Sequence, residues 1–267
     1  MKFNLIKWKL MLTTLPITIG VVVLKLIIVE QLHYEGIVKF SEIGLVVTGG
    51  VFLIGFMLAG TISDYKESEK IPAELACAIE TIEDTITLAH ALKGGFDLHD
   101  TRRRLHEGTI AILGWFNKTV STDIVFQKIK DFTEIALTLE RANVGAIASR
   151  VTGAQHDLRK LFSRVNVIRR TNFLATGYAF LEVMTVVIIG LLLLAQFDSK
   201  VISIIIISFV TQIFIYMIRL IRDIDEPFEY SPTGEEGAAD IDLFPLVEYA
   251  TRAKQRLENT VNDNLAA

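Results

Sequence analysis

Four long apolar runs, separated by polar segments, dominate the pattern of residues along the chain. They extend over roughly residues 10–29, 43–62, 173–195 and 201–221. About 20 apolar residues in a helix are enough to cross the hydrocarbon core of a bilayer, so each run predicts a transmembrane helix. For the first run a secretory signal peptide is the alternative, although the following VEQLHYEG lacks a small-residue cleavage site. The pattern therefore predicts an all-α, multi-pass integral membrane protein.

The four runs form two hairpins, with a polar segment between them that has the pattern of amphipathic helices. Apolar residues recur there at intervals of three and four, the helical period. The first series is Ile71, Leu75, Ile79, Ile82 and Ile86. The pair Gly94-Gly95 predicts the end of this helix. Asp100 is the expected cap of the next helix, and Ser121 or Thr122 that of a third.

These boundaries divide the chain into four predicted regions. Residues 1–62 form the first membrane hairpin, 63–172 a cytoplasmic helical region, 173–222 the second hairpin, and 223–267 a cytoplasmic C-terminal segment that contains a helix. From Ala154 into the third apolar run, the only helix-weakening residue is Gly177. One long helix is therefore expected to continue from the polar segment into the membrane.

The positions of lysine and arginine predict the orientation of the hairpins, because cytoplasmic loops carry an excess of these residues. Basic residues precede the first and third runs and close the fourth, whereas the two short connectors contain only Lys39 and Lys200. Both termini and the middle segment are thus expected in the cytoplasm. The expected location is the plasma membrane of a prokaryote.

Composition and motifs exclude several classes of function. The chain is 51% hydrophobic with a net charge of -4, and nucleic-acid-binding proteins usually present a strongly basic face. Its one cysteine, Cys77, excludes an intramolecular disulfide. His99 and His106 lack the cysteines or carboxylates of a zinc site, and no GxSxG, HExxH or phosphate-loop motif occurs. We therefore predict no enzyme, no cofactor, no metal and no nucleic-acid partner.

The second run is rich in glycine and carries a stripe of three larger residues. Thr48, Phe52 and Phe56 are four residues apart, so they lie on one face of a helix. If several copies surrounded an axis, these phenylalanines would form apolar rings, and such a constriction gates a pore by drying it. The alternative is that the stripe faces lipid or a core. The glycines equally suit close packing of this helix within its own subunit.

Few polar residues lie inside the other runs. Glu182 is the one acidic residue inside the third run, and an ionisable residue at that depth is a candidate functional group. The alternative is an ion pair with Arg169, Arg170 or a neighbouring helix. Lys25 is expected to extend its side chain to the membrane surface, and Gln212 to hydrogen-bond between helices.

Two short motifs accompany the ends of the second and fourth runs. The stronger consists of Asp225-Glu226-Pro227-Phe228, then an acidic loop, then DIDLFPL from Asp240 to Leu246, and a helix containing Glu248. The second is Gly55-Phe56 followed by Ser63-Asp64-Tyr65 and Glu67. With two membrane hairpins flanking a helical block, these motifs resemble the bestrophins and the looser bestrophin-like membrane family of bacteria. The resemblance covers the membrane helices and the C-terminal corner.

The resemblance implies a homopentamer in the lipid bilayer around one axial pore for small inorganic ions. Its narrow apolar neck corresponds here to Thr48, Phe52 and Phe56. Ser63, Asp64 and Glu67 are then candidates for the cytoplasmic mouth of the pore. The Asp225-Glu226-Pro227-Phe228 corner, with Asp240 and Asp242, is expected to be a structural clasp.

Two features of this chain differ from the family pattern. The Thr-Pro-x-Pro sequence that precedes the third membrane helix in the family is Thr171-Asn172-Phe173-Leu174 here. Animal bestrophins hold calcium near the acids after Pro-Phe, and the comparable acids of this chain are Glu229, Glu235, Glu236, Asp240 and Asp242. Because calcium needs several converging oxygen ligands and these acids are spread along a loop, no metal is assigned to them.

The expected function is passive conduction of small ions. The resemblance leaves the sign of the ion open, because animal bestrophins conduct chloride, whereas bacterial relatives can prefer sodium. The positive edges of aromatic rings favour anions, and Asp64 and Glu67 would favour cations. Anions are the expected ions. The alternative is a non-conducting membrane scaffold or sensor whose cytoplasmic helices bind a partner.

Overall fold

The computed structural model describes residues 5–31, 36–171, 175–230 and 239–266. Its elements, in chain order, are α1 (Leu5–Glu30), β1 (Val38–Lys39), α2 (Phe40–Ser68), α3 (Ile71–Lys93), α4 (Leu98–Phe116), α5 (Thr122–Arg141), α6 (Gly145–Ile168), α7 (Ala175–Leu194), β2 (Ala195–Gln196), α8 (Lys200–Asp225) and α9 (Phe244–Ala266). The predicted all-α class is confirmed. The two short strands form one parallel ladder that pairs Val38 with Ala195 and Lys39 with Gln196.

The chain forms two compact units. Unit 1 comprises Met1–Tyr65, Asn172–Pro227 and Glu236–Asp240, and unit 2 comprises Lys66–Thr171, Phe228–Glu235 and Ile241–Ala267. Within the described residues, four helices are long and apolar enough to cross a membrane, and their candidate membrane spans begin at Trp8, Phe40, Ala175 and Lys200. They correspond to the four apolar runs.

Unit 1 packs its helices around a small apolar core. Met57, Leu181, Ile188 and Phe214 are buried there. Lys25 belongs to the interior: it is 4% exposed, and its Nζ donates to the carbonyl oxygens of Leu193 at 2.9 Å and Ala195 at 2.7 Å. The expected extension of Lys25 to the membrane surface is therefore wrong. Carbonyl groups at the C-terminal end of α7 have no N–H donor within the helix, and the ammonium group donates to them instead.

Unit 2 is a bundle in which α3 packs on α6, α5 on α6, and α4 on α9. The predicted apolar series of α3, from Ile71 to Ile86, is buried throughout. The helices α4 and α5 approach closely, because a Cβ added at Gly108 would lie 2.5 Å from Cζ of Phe132. Gly94 and Gly95 have positive φ after α3, which confirms the predicted helix end.

Two predictions of helix boundaries in unit 2 are wrong. The cap of α4 is Asp97, whose Oδ1 accepts from the backbone N–H of Asp100 at 3.0 Å, so the cap lies three residues before the expected one. The expected long helix from Ala154 into the membrane ends at Ile168. The N–H of Arg170 bonds to the carbonyl of Val167 at 2.9 Å, and this tighter i→i+3 turn closes α6.

Candidate functional site: the exposed face of helix α2

Helix α2 has one buried and one exposed side within its subunit. Ile43, Ile54 and Met57 are at most 4% exposed. On the opposite side Phe52 is 77% exposed and Phe56 60%. We call the side that carries Leu45, Thr48, Phe52, Phe56, Ala59 and Ser63, all of which are exposed, the exposed face of α2. Its members are three or four residues apart, so they follow one line along the helix.

The glycines of α2 are divided between these two sides. A Cβ at Gly50 would lie 2.7 Å from Ile188 Cδ1 and from the ring of Phe214, so this glycine permits close packing with α7 and α8. A Cβ at Gly44, Gly49 or Gly55 would meet none of the described atoms within 4 Å. Packing within the subunit therefore explains Gly50, whereas no described atom restricts a side chain at Gly44, Gly49 or Gly55.

Thr48 is the polar member of the predicted stripe. Its Oγ1 donates to the carbonyl of Gly44 at 2.8 Å, four residues earlier in the same helix. The hydroxyl is thus partly satisfied by its own backbone. A threonine engaged in this way is less polar towards its surroundings than a free hydroxyl.

The three residues proposed for a pore mouth have different environments. Ser63 is exposed and Asp64 is partly buried, with a polar partner of its own. Glu67, in unit 2, receives two hydrogen bonds from Arg164, one from Nε to Oε1 at 3.2 Å and one from Nη2 to Oε2 at 2.9 Å. Such a bidentate pair fixes the carboxylate and neutralises its charge. The sequence did not indicate this partner, because 97 residues separate the two side chains.

The residues predicted to form a C-terminal clasp have structural roles where they are described. Phe228 is fully buried, with its ring centroid 5.7 Å from that of Phe116. Asp242 Oδ1 accepts from the N–H of Phe244 at 2.8 Å and so caps the start of α9. Helix α8 ends at Asp225, and Pro227 is buried in the turn that follows. Glu226 and Asp240 also have polar partners.

The acidic loop contains no metal-binding cluster within the part of the chain that is described. No group of three His, Cys, Asp or Glu side chains there is arranged to hold an ion. Glu235 and Glu236 lie outside the described residues.

Glu182 pairs with a residue of the fourth membrane helix. Arg222 Nη2 of α8 lies 2.5 Å from Glu182 Oε1 of α7, and both side chains are more than half exposed. The ion-pair alternative for Glu182 therefore has a specific partner, Arg222. Gln212 also bonds between helices as expected, because its amide contacts the hydroxyls of Thr18 at 2.6 Å and Thr14 at 2.7 Å.

Sequence analysis missed a buried carboxylate in unit 2. Glu83 of α3 is 2% exposed, and its Oε2 accepts from the Tyr249 hydroxyl at 2.9 Å. Arg256 Nε lies 3.1 Å from Oε1 of the same group, and Arg102 Nε lies 3.7 Å from it. Burial, with the neighbouring Glu83 carboxylate, raises the pKa of Tyr249 well above its usual range. The sequence did contain an indication of this buried group, because Glu83 directly follows Ile82 on the apolar face of α3.

Comparison with known proteins identifies the architecture. No family model matches the sequence, and no curated protein matches it. The structure is similar to that of a bacterial bestrophin homologue from Klebsiella pneumoniae carrying a single substitution, with a TM-score of 0.72, 15% identity, and coverage of 92% of this chain and 97% of that one.

Two further crystal structures are similar to this chain over nearly its whole length. A second variant of the Klebsiella pneumoniae homologue has a TM-score of 0.69 at 13% identity, covering 93% of this chain and 97% of its own. A structure described as a membrane protein has a TM-score of 0.70 at 13% identity, covering 96% of this chain and 99% of its own. Similarity over nearly the whole length of each chain shows a shared architecture, and the protein has the fold of the bacterial bestrophin homologues.

Proposed function

We propose that this chain is a member of the bestrophin family and forms a homopentameric channel that conducts small ions passively. The exposed face of α2 is the observation that carries this proposal. It presents Phe52 and Phe56 outward, next to Gly49 and Gly55, where an added Cβ would meet no described atom within 4 Å. Around a common axis the two phenylalanines become apolar rings, and Gly49 and Gly55 permit close approach of neighbouring copies. Such a neck conducts when it is wet and closes when it dries.

The aromatic neck is the element that favours anions. The case for cations rests on two acids, Asp64 and Glu67. Arg164 forms a bidentate pair with Glu67, which offsets the charge of that acid and leaves Asp64 as the other acid at this end. The positive ring edges of Phe52 and Phe56 then act on an ion in the neck. Small anions such as chloride are therefore the proposed substrates.

Planar-bilayer recording of the purified protein in asymmetric salt tests conduction and the sign of the ion together. A reversal potential near the equilibrium potential of chloride is expected. Phe52→Ala and Phe56→Ala should each increase conductance or leak several-fold, because the neck would no longer dry. Phe209→Ala is the matched control, since Phe209 is 68% exposed on α8, another membrane helix. Unchanged currents in both α2 variants would remove the neck from the proposal.

The lone cysteine offers a direct test of the proposed orientation. Cys77 is exposed on α3, in the segment that the positions of lysine and arginine assign to the cytoplasm. A membrane-impermeant maleimide should label Cys77 in inside-out vesicles and leave it unlabelled in intact cells. Labelling in intact cells would reverse the orientation.

A non-conducting scaffold is the second candidate. A groove of about 770 Å³ lies between α3 and α6 of unit 2, and it is lined by both acids and bases, among them Glu74, Asp157 and Lys160. Such a groove suits a polar segment of a partner. Stoichiometry separates the two functions, because a five-fold particle with α2 at its axis supports the channel and a stable monomer supports the scaffold.

A further inference from the structure

A cavity in unit 2 is lined by cations that form no ion pair among the described residues. It has a volume of about 440 Å³ and lies where the α4–α5 turn meets the C-terminal end of α6. Three cationic side chains line it, Lys118, Arg169 and Arg170, together with the hydroxyls of Ser121 and Thr122 and the amide of Asn166. None of its lining residues is a carboxylate. The cavity therefore offers hydrogen-bond donors and positive charge.

One of these cations is held in position by the fold. The Arg169 guanidinium lies over the ring of Trp115, 4.8 Å from the ring centroid. Trp115 is 3% exposed, and its Nε1 donates to Thr122 Oγ1 at 3.0 Å. This stacking fixes the arginine before a ligand arrives, so less conformational entropy is lost on binding. The partial burial of Arg169 lowers its pKa, which reflects the cost of keeping this charge away from water.

The charges in the cavity are not neutralised by the surrounding protein. Among the described residues, none of the three cations has a carboxylate within ion-pair distance; Glu229 is the acid that acts on Arg169, electrostatically and without a salt bridge. Three other arginines of unit 2 do pair with carboxylates: Arg103 and Arg104 contact Asp100, and Arg164 contacts Glu67. An anion in this cavity would therefore gain interactions that the protein itself leaves unused.

We propose that this cavity binds a phosphate group, with Lys118, Arg169 and Arg170 as cations and Ser121 as a hydroxyl donor. Planar guanidinium groups match the oxygens of a phosphate, and charge-assisted bonds of this kind are the strong ones. The position favours the headgroup of an anionic phospholipid as the source. Along the chain, Arg170 comes five residues before Ala175, the first residue of membrane helix α7. The site is independent of ion conduction.

Thermal unfolding of the full-length protein in an uncharged detergent tests the proposal. The probes are dioctanoyl phosphatidylglycerol, dioctanoylglycerol without a phosphate, and inorganic phosphate, all at constant ionic strength. We expect phosphatidylglycerol to raise Tm in a saturable way and dioctanoylglycerol to leave Tm unchanged. If inorganic phosphate gives the same saturable shift, free phosphate is the source; if it gives none, the source is the lipid headgroup.

Substitutions then locate the effect. The double variant Lys118→Gln, Arg170→Gln removes two cations and keeps the Arg169–Trp115 stack, and it should weaken the apparent affinity at least tenfold. Both positions are exposed, so the variant should fold, and each single variant should show part of the loss. Arg159→Gln is the control, an exposed arginine of α6 outside the cavity. Affinity retained within twofold in the double variant, or an equal shift with dioctanoylglycerol, would overturn the proposal.

Discussion

Large apolar side chains are buried inside unit 2, whereas many of those in unit 1 are exposed. In unit 2, Ile79, Ile82 and Leu139 are completely buried, whereas in unit 1 Val186 is 71% and Phe209 68% exposed. Exposing a large apolar side chain to water costs about 1.5–3 kcal/mol, so a surface like that of unit 1 requires a solvent other than water. Many of the apolar side chains of unit 1 therefore form an outer surface that suits hydrocarbon, whereas the apolar side chains of unit 2 form a core.

Polar groups show the reverse distribution. Inside unit 1 the contacts between helices include uncharged groups, such as Gln212 with Thr14 and Thr18. The buried Lys25 contacts backbone carbonyls, and the Glu182–Arg222 pair is more than half exposed. Inside unit 2 a full carboxylate, Glu83, is buried and surrounded by Tyr249 and two arginines. A buried charge is stable only with several partners, and the charged helices of unit 2 can supply them.

The strongest test of this difference removes the buried carboxylate. Glu83→Ala takes away the acceptor of Tyr249 and the counter-charge of Arg256, and breaking a buried pair in this way costs about 3–5 kcal/mol. Urea unfolding of the detergent-solubilised protein would measure the loss. Glu80→Gln is the control: Glu80 also contacts Arg252 and Arg256, but its side chain is 36% exposed, so the expected cost is below about 1 kcal/mol. Equal losses would contradict the central role of Glu83.

A matched pair of valines tests the apolar surfaces. Val125→Ala in α5, where the valine is fully buried, should destabilise the protein by about 2 kcal/mol, since it leaves a cavity. Val186→Ala in α7 removes the same atoms from an exposed site and should cost less than about 0.5 kcal/mol. Both values come from the same unfolding experiment. A large loss at Val186 would mean that another copy of the chain covers this side of α7.

A smaller effect is expected from acid. Burial, with a lesser contribution from Lys254, lowers the pKa of His106 in unit 2, and the structure describes no hydrogen-bond partner for its buried Nδ1. Because the unfolded chain then binds this proton more readily, the stability contributed by neutral His106 is present above the unfolded pKa of about 6.5 and is lost as pH falls through the folded value.

Thermal unfolding between pH 7 and pH 5 measures this loss. His106→Leu should flatten the decrease of Tm across that range, and substitution of the exposed His156 by Gln should not. The same slope in all three proteins would assign the acid sensitivity to other groups.

The smallest effect is expected at the ion pair of the membrane helices. Glu182 and Arg222 are both more than half exposed, and exposed pairs contribute about 0–1 kcal/mol. Glu182→Gln should therefore change the stability by less than about 1 kcal/mol in detergent. A loss of stability above about 2 kcal/mol would show that this pair is desolvated. Unit 1 would then contain a buried ion pair, as unit 2 does around Glu83.

Local patterns were sufficient to predict most of the helices. The apolar runs predicted α1, α2, α7 and α8, because a membrane helix must be apolar over its whole length. The series from Ile71 to Ile86 predicted the buried side of α3, because its period matches the helix. Errors occurred at helix ends, where Asp97 replaced Asp100 as a cap and α6 ended at Ile168. Capping depends on a few competing hydrogen bonds, and helix ends are the least predictable part of an element.

The candidate site was predicted in part. The spacing of Thr48, Phe52 and Phe56 placed them on one line, but only the burial of Ile54 and Met57 on the opposite side shows that this line faces away from the subunit. The spacing also could not separate Gly50, which contacts α7 and α8, from Gly49 and Gly55. Partners distant in sequence, such as Arg164 for Glu67 and Arg222 for Glu182, left no local signal.

The sequence by itself determined which segments need a hydrocarbon solvent and which form amphipathic helices, because both properties depend on residues less than about one helical turn apart. It also contained the short motifs of the bestrophin-like architecture. The tertiary structure alone decided which side of each helix is covered and which charges are neutralised. It alone brought Lys118, Arg169 and Arg170 around one cavity. These properties depend on side chains tens of residues apart, which meet only when the helices pack.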